Sequence, residues 1–191
     1  MTTAMTRRRF CVKEYFMMAE AGVFGEDDRV ELVDGEIVEM AAVGSYHAGC
    51  VICLTALFTQ KAGDRVFVSV QNPVKLHELT SFQPDLAILF PRDDFYMNSH
   101  PTAKDVLLII EVSDSSVDYD RNVKIPRYSQ AGVPEVWQIN LVYGLIDTFS
   151  DLDPVTVRYR SMQRFSPGQR IVPTQLPDIS LEVSQILRQP E

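Results

Sequence analysis

The sequence predicts an α/β or α+β fold, with a mixed central β-sheet flanked by two or three helices. Three observations carry that expectation. The segment VLLIIEV, residues 106–112, is apolar without alternation, as expected of a central strand covered on both faces. Two stretches of helical length, about 7–21 and 45–61, carry apolar residues on one side and end at glycines. Several short apolar segments are punctuated by Pro73, Pro84 and Pro91, the pattern of successive strands. The 191 residues fit one domain, expected over residues 10–188 behind a flexible N-terminus at 1–9, and 46% hydrophobic content suffices for a sizeable core.

In chain order, Thr6 is placed to cap the first helix, with Phe10, Tyr15, Met17, Met18 and Ala21 toward the core and Gly22 and Gly25 at its end. RVELVDGEIVEM follows as two alternating runs around Asp34-Gly35, a strong hairpin signal. Ser45 or Tyr46 opens the second helix, apolar at Val51, Leu54, Ala56, Leu57 and Phe58 and broken by Gly63-Asp64. RVFVSV, PVKLHE, DLAILF and VLLIIEV read as strands, with a polar loop at 92–104. DYDRNVKIPRYSQAG reads as a helix stopped at Gly132, with Pro126 kinking it or confined to its beginning. EVWQINL, GLIDTFS and VTVRYR read as a meander, and the tail as a short strand and a final turn near Ile186-Leu187.

Composition narrows the function classes. No apolar run reaches membrane-spanning length, and MTTAMTRRRF lacks the apolar stretch of a secretory signal, so a cytoplasmic protein is expected. Three cysteines argue against a disulfide framework. Cys50 and Cys53 form a C-x-x-C beside His47, readable as a redox or zinc pair, or as two small apolar residues on a buried helix face. Nothing completes a zinc set, which favours the helix face. The net charge of −8 opposes a broad basic nucleic-acid surface, although arginines and lysines cluster at 7–9, 121–127 and 158–164. His77 in HELTS lacks the second histidine of H-E-x-x-H, and no G-x-S-x-G, P-loop or G-x-G-x-x-G is present.

The chemistry-bearing residues are acidic. Glu31 begins ELVDGEI, Asp85 follows Pro84 in QPDLAIL, and Glu111 sits inside LLIIEVSDSS. A carboxylate flanked by apolar residues is costly to bury unless it is paired or coordinating. Carboxylates on adjacent strands make a hard-oxygen site suited to Mg²⁺ or Mn²⁺. Pro84-Asp85 followed by Glu111-Val112-Ser113 resembles the PD-(D/E)xK nuclease superfamily. The wider set also includes ELVDGEI, His47, DYDRNVKIPRYSQAGVPEVWQINL and ISLEVSQIL, and it is similar to the Uma2 family within that superfamily, formerly a domain of unknown function. The likeness runs from about residue 10 to 188 and is most specific over 105–141.

That resemblance implies a restriction-endonuclease-like fold and metal-assisted hydrolysis of nucleic-acid phosphodiesters, DNA ahead of RNA, by a homodimer. Asp85, Glu111 and the Val112 carbonyl would hold Mg²⁺ or Mn²⁺, with Glu31 as a further ligand and Gln83, His47 and Asp120 in support. The superfamily lysine would fall at Ser113. Its carried-over counterpart is Lys124, within Asp120-x-x-x-Lys124-x-x-x-Tyr128, spaced to share one helix face. Each residue also has a structural reading. Glu31 would pair with Arg29 or another surface cation, Asp85 would form a turn after Pro84, Glu111 would pair with Lys124, His47 would cap a loop or helix, and Tyr128 and Trp137 would lie in the core or a dimer face. The competing function is a binding or regulatory module on an inactive nuclease fold; a Lys124 pointing to solvent would favour it, and divalent-metal affinity together with a Lys124 near Asp85 and Glu111 the enzyme.

Overall fold

The computed structural model describes residues 6–25 and 27–188. Residues 1–5 of the expected N-terminal segment lie outside them. The first helix, α1 (Val12–Glu20), starts five residues later than expected. Residues ahead of it are held by backbone bonds, Phe10 N–H to Gly35 (2.9 Å) and Val12 N–H to Glu78 (2.7 Å), so Thr6 caps nothing. Glu14 instead accepts the Cys11 N–H at 3.0 Å at the helix start. Val12 and Tyr15 are buried, whereas Met17 and Ala21 are exposed. Next comes the hairpin β1 (Val30–Val33) and β2 (Glu36–Glu39). Its turn residues, Asp34 (φ 49°) and Gly35 (φ 84°), are both left-handed, the geometry a two-residue hairpin needs. Helix α2 (Ser45–Ala62) presents Cys50, Val51, Leu54, Phe58 and Ala62 to the core but leaves Ala56 outside, and Gly63 (φ 56°) ends it.

β3 (Phe67–Val70), β4 (Val74–His77), β5 (Thr80–Phe82), β6 (Leu86–Leu89) and β7 (Val106–Ser113) follow. β5 was not foreseen; it pairs with both β4 and β1. The helical stretch after β7 has three parts, α3 (Val117–Tyr119), a π segment (Asp120–Lys124) and α4 (Ile125–Ala131), and Gly132 stops it (φ 88°). β8 (Val136–Asn140) runs parallel to β7, which requires a crossover, and this stretch provides it. β9 (Leu145–Leu152) and β10 (Tyr159–Phe165) complete the meander. VTVRYR is therefore only partly strand. Asp153 Oδ1 accepts the N–H groups of Val155 (2.8 Å) and Thr156 (3.1 Å), which turns the chain before Tyr159. The tail forms β11 (Arg170–Ile171), β12 (Leu181–Glu182) and α5 (Val183–Ile186).

Six strands make the main sheet in the order β10-β9-β8-β7-β6-β3, and β2-β1-β5-β4 make a second. All eight residues of β7 are buried, as expected of a covered central strand. One face of the main sheet packs on α2 and the tail through Leu108, Ile110, Trp137 and Ile139. The other packs on α4 and the small sheet through Ala87, Ile109, Phe82 and Tyr128. Among the described residues no helix is long and apolar enough to cross a membrane. Trp137 and Tyr128 are fully enclosed, which places both in the core.

Candidate active site

The last β6–β7 register pair is Leu86 with Ile110, so Asp85 and Val112 lie just past the end of that ladder. There the Val112 N–H donates to Asp85 Oδ2 at 2.9 Å. A strand residue turns its N–H and C=O to the same edge, so the Val112 carbonyl also projects toward Asp85. The neighbouring Glu111 side chain takes the opposite face and meets α4. Tyr128 Oη donates to Glu111 Oε1 at 2.5 Å, and Lys124 Nζ donates to the same oxygen at 3.2 Å. Lys124 Nζ also lies 3.0 Å from Glu31 Oε1, which accepts the Gln83 N–H at 2.7 Å. Glu31, Glu111 and Lys124 are all buried.

The π segment explains how Lys124 and Tyr128 both reach Glu111. Pro126 has no N–H to give, and an uninterrupted α-helix would lose a bond there. The Ile125 N–H instead bonds back to the Asp120 carbonyl, a five-residue step that widens the turn and leaves Pro126 in the first turn of α4. Asp120 Oδ2 accepts the hydroxyls of Ser113 (2.7 Å) and Ser116 (2.6 Å). Ser113 also accepts Gln138 Nε2 at 3.2 Å. A hydroxyl network thus fills the place where the superfamily lysine would stand, and the ammonium arrives from the helix.

Asp85 is held by three donors: Val112, Gln71 Nε2 to Oδ1 at 3.1 Å, and His47 Nε2 to Oδ2 at 3.1 Å. Burial raises its pKa, but the His47 bond and charge, with Gln71 and the Val112 N–H, outweigh it, and the carboxyl lies below its ordinary range. Glu111 goes the other way. Burial pushes it well above the usual range, the charges of Asp120, Asp85 and Glu31 add to that, and Lys124 opposes it. Burial alone would lower Lys124, yet the charges of Glu111, Glu31 and Asp120 hold it above its ordinary value. One ammonium faces more carboxylates than it can neutralise.

Glu31, His47, Gln83, Asp85, Glu111, Val112, Asp120 and Lys124 line one cavity of about 250 Å³. The sequence-derived residues therefore come together, from β1, α2, β6, β7 and the π segment. Tyr128, Gln71, Tyr119 and Arg29 complete the surroundings. Arg29 was expected only as an ion-pair partner of Glu31, which pairs with the buried Lys124 instead; Tyr128 left a signal in its four-residue spacing from Lys124, and Gln71 and Tyr119 left none. Cys50 and Cys53 take no part. Burial pushes the Cys50 thiol up to about 12, and Cys53 Sγ donates to the Gln185 carbonyl at 3.0 Å.

Three buried polar atoms have no hydrogen-bond partner among the described residues: Glu31 Oε2, His47 Nδ1 and Tyr119 Oη, all on residues of this cavity. Among the described residues no three of His, Cys, Asp and Glu group into a preformed metal cage. What exists is an open hard-oxygen set. Glu31 Oε2 is unpartnered, Glu111 has committed only Oε1, and Asp85 has filled three of about four lone-pair sites. Such a set suits Mg²⁺, which keeps several waters and takes only one or two carboxylates from a protein.

Comparison with known proteins follows the same direction. Over 153 residues the chain is 27% identical to the uncharacterized protein sll1609 of Synechocystis sp., covering 78% of this chain and 81% of that one. A crystal structure from Anabaena variabilis, described as "a putative nuclease belonging to DUF820", superposes with a TM-score of 0.70, covering 93% of this chain and 97% of that chain at 13% identity. That likeness shows a shared fold. The family model described as "Putative restriction endonuclease" matches residues 12–184, and the chain belongs to that family, Uma2.

Proposed function

We propose that the protein is a divalent-metal-dependent endonuclease that hydrolyses nucleic-acid phosphodiester bonds, with Mg²⁺ or Mn²⁺ as the ion and DNA ahead of RNA as substrate. The observation that carries this reading is the convergence of Glu31, Asp85, Glu111 and Lys124 on one cavity, with a buried Glu31 oxygen left without a partner. Asp85, Glu111 and the Val112 carbonyl would hold the ion, with Glu31 as a further ligand. When bound, the ion would polarise the phosphoryl oxygen and acidify an attacking water. His47, Gln71 and the Val112 N–H keep Asp85 ionised and fixed in direction. Tyr128 and Lys124 both hold Glu111 Oε1, which leaves Oε2 uncommitted among the described residues. Lys124, kept protonated by its neighbours, stands ready to stabilise negative charge developing on the phosphate. Lys124 is buried against Glu111 and Glu31 rather than turned to solvent, where the inactive binding module would have it; the same contact also satisfies the structural reading of Glu111, so divalent-metal affinity separates the two. The main sheet ends in two open edges, β3 and β10, on which the expected homodimer would pair; light scattering in solution reads this directly.

The test is calorimetric titration of Mg²⁺ and Mn²⁺ into the wild type and Glu111→Ala, beside nuclease assays on DNA and RNA panels. Binding and cleavage by the wild type, both lost in the variant, are expected. Metal-independent cleavage, or no cleavage on any substrate, would overturn the reading.

A further inference from the structure

Resting on the nuclease reading, the geometry points to a phosphate-binding role for Arg29, with the Tyr119 hydroxyl as its companion: we propose that these two groups grip a substrate phosphate beside the carboxylates. The cavity wall explains the need. Six carboxylates line it (Glu31, Glu39, Asp85, Glu111, Asp114 and Asp120) against two permanent cations, Lys124 and Arg29. Lys124 is already shared between Glu31 and Glu111. A phosphodiester entering such a wall is repelled unless cations meet it, and a single divalent ion offsets only part of that charge.

Arg29 is the remaining candidate. It lies directly before β1, lines the cavity and forms no ion pair among the described residues. Its guanidinium gives one N–H, from Nη1, to the Ala41 carbonyl at 3.1 Å. Among the described residues the four further N–H donors have no partner, and they form the planar fork that matches phosphate oxygens. The Met40 N–H returns to the Arg29 carbonyl at 2.8 Å, so the Met40–Gly44 strap, which also lines the cavity, is fastened to the same residue. Tyr119 is the independent sign of a ligand. Tyr119 lines the same cavity, and its buried hydroxyl has no partner among the described residues, although such a group normally finds one. Neighbouring negative charge, after burial itself, keeps it a protonated donor. A protonated hydroxyl and an unpaired guanidinium are phosphate contacts; neither can bind a metal in that state.

The test uses the full chain in Ca²⁺, to limit turnover, with two probes: a short single-stranded oligonucleotide and inorganic phosphate. Variants are Arg29→Ala, Arg29→Lys and Tyr119→Phe. Arg29→Ala is expected to weaken oligonucleotide binding by roughly tenfold or more, the size of a lost charge-assisted hydrogen bond, and Tyr119→Phe by roughly threefold to tenfold. Arg29→Lys should recover part of the loss. The slope of log affinity against log salt should fall by roughly 0.7, one single-strand phosphate contact, in Arg29→Ala. A role confined to fastening the strap would leave that slope unmoved. Calorimetric Mn²⁺ affinity should stay at the wild-type value in all three variants. Unchanged oligonucleotide affinity and slope in Arg29→Ala would overturn the assignment while leaving the nuclease reading intact. A wild type that binds phosphate through Arg29 but no oligonucleotide would overturn the nuclease reading and uphold the phosphate contact. A wild type that binds neither overturns both.

Discussion

Lys124 is the residue on which the buried charges depend. It faces Glu31 at 3.0 Å and Glu111 at 3.2 Å, with all three side chains nearly inaccessible. Replacing a buried pair by apolar groups can be neutral, but removing one partner strands the others. Lys124→Met should therefore cost roughly 3–5 kcal/mol in urea unfolding. Adding Glu111→Gln should return part of that loss, because the amide no longer needs the ammonium. A double variant whose loss equals the sum of the two singles would mean that Lys124 and Glu111 are not energetically coupled. The burial of Glu111 was legible from its apolar flanks, while Lys124 came from the family resemblance, its four-residue spacing from Tyr128 placing both on one helix face. Arg29 was legible only as a surface cation for Glu31, and Gln71 was not legible. Gln71 reaches Asp85 from a left-handed backbone (φ 52°) after β3, and its neighbours in sequence do not encode that turn.

At the scale of elements, the small sheet is tied to α4 by an ion pair at the β1–β2 turn. Arg127 donates to Asp34 Oδ2 from Nε at 3.1 Å and again from its terminal nitrogen, and also to the Val123 carbonyl at 2.7 Å. The Arg127 bond, against an opposing effect of burial, holds the Asp34 carboxyl below its ordinary 3.8. A lowered folded-state pKa gives stability that is present above the unfolded value and lost as pH falls through the folded one. Asp34→Asn keeps a side chain that tolerates the left-handed turn, so it isolates the charge. Its cost at pH 7 should be below about 1 kcal/mol, since the Asp34 side chain is 42% exposed and screened. The cost should shrink toward zero between pH 4 and the acid limit, and urea midpoints for both proteins across that range read it. A cost that grows on acidification would refute the assignment. Local signals captured the elements that local chemistry decides, such as the Asp34-Gly35 turn and the Gly63 and Gly132 stops. They missed β5, which exists because β4 and β1 both pair with it, and they placed the first helix too early, because the Phe10 N–H bonds to the hairpin and the Val12 N–H to Glu78.

For the whole molecule, a net charge of −8 and an acid-lined cavity make the protein a poor receptor for nucleic acid on its own. On the proposed reading, a cation is what reconciles the chain with its substrate, and binding it should be visible as stability before any substrate is added. A ligand that binds only the folded state stabilises it by RT ln(1 + [L]/Kd), about 1.4 kcal/mol at ten times Kd. For a domain of this size that corresponds to a rise in Tm of roughly 3–6 °C. The gain has two sources in the fold: the ion gives Glu31 Oε2 a partner, and it offsets the mutual repulsion of Glu31, Asp85, Glu111 and Asp120 around one ammonium. Thermal unfolding in Mn²⁺ against EDTA should show that rise for the wild type. It should vanish in Glu111→Gln, whose amide is a weak ligand. It should survive in Asp34→Asn, whose change lies at the tie between the small sheet and α4, away from the cavity lining. An equal rise in all three proteins would mean that the ion acts elsewhere on an acidic surface. A rise confined to the wild type and Asp34→Asn would assign the cation to the residues past the β6–β7 ladder, where two strands stop pairing and the Asp85 carboxylate meets the Val112 N–H.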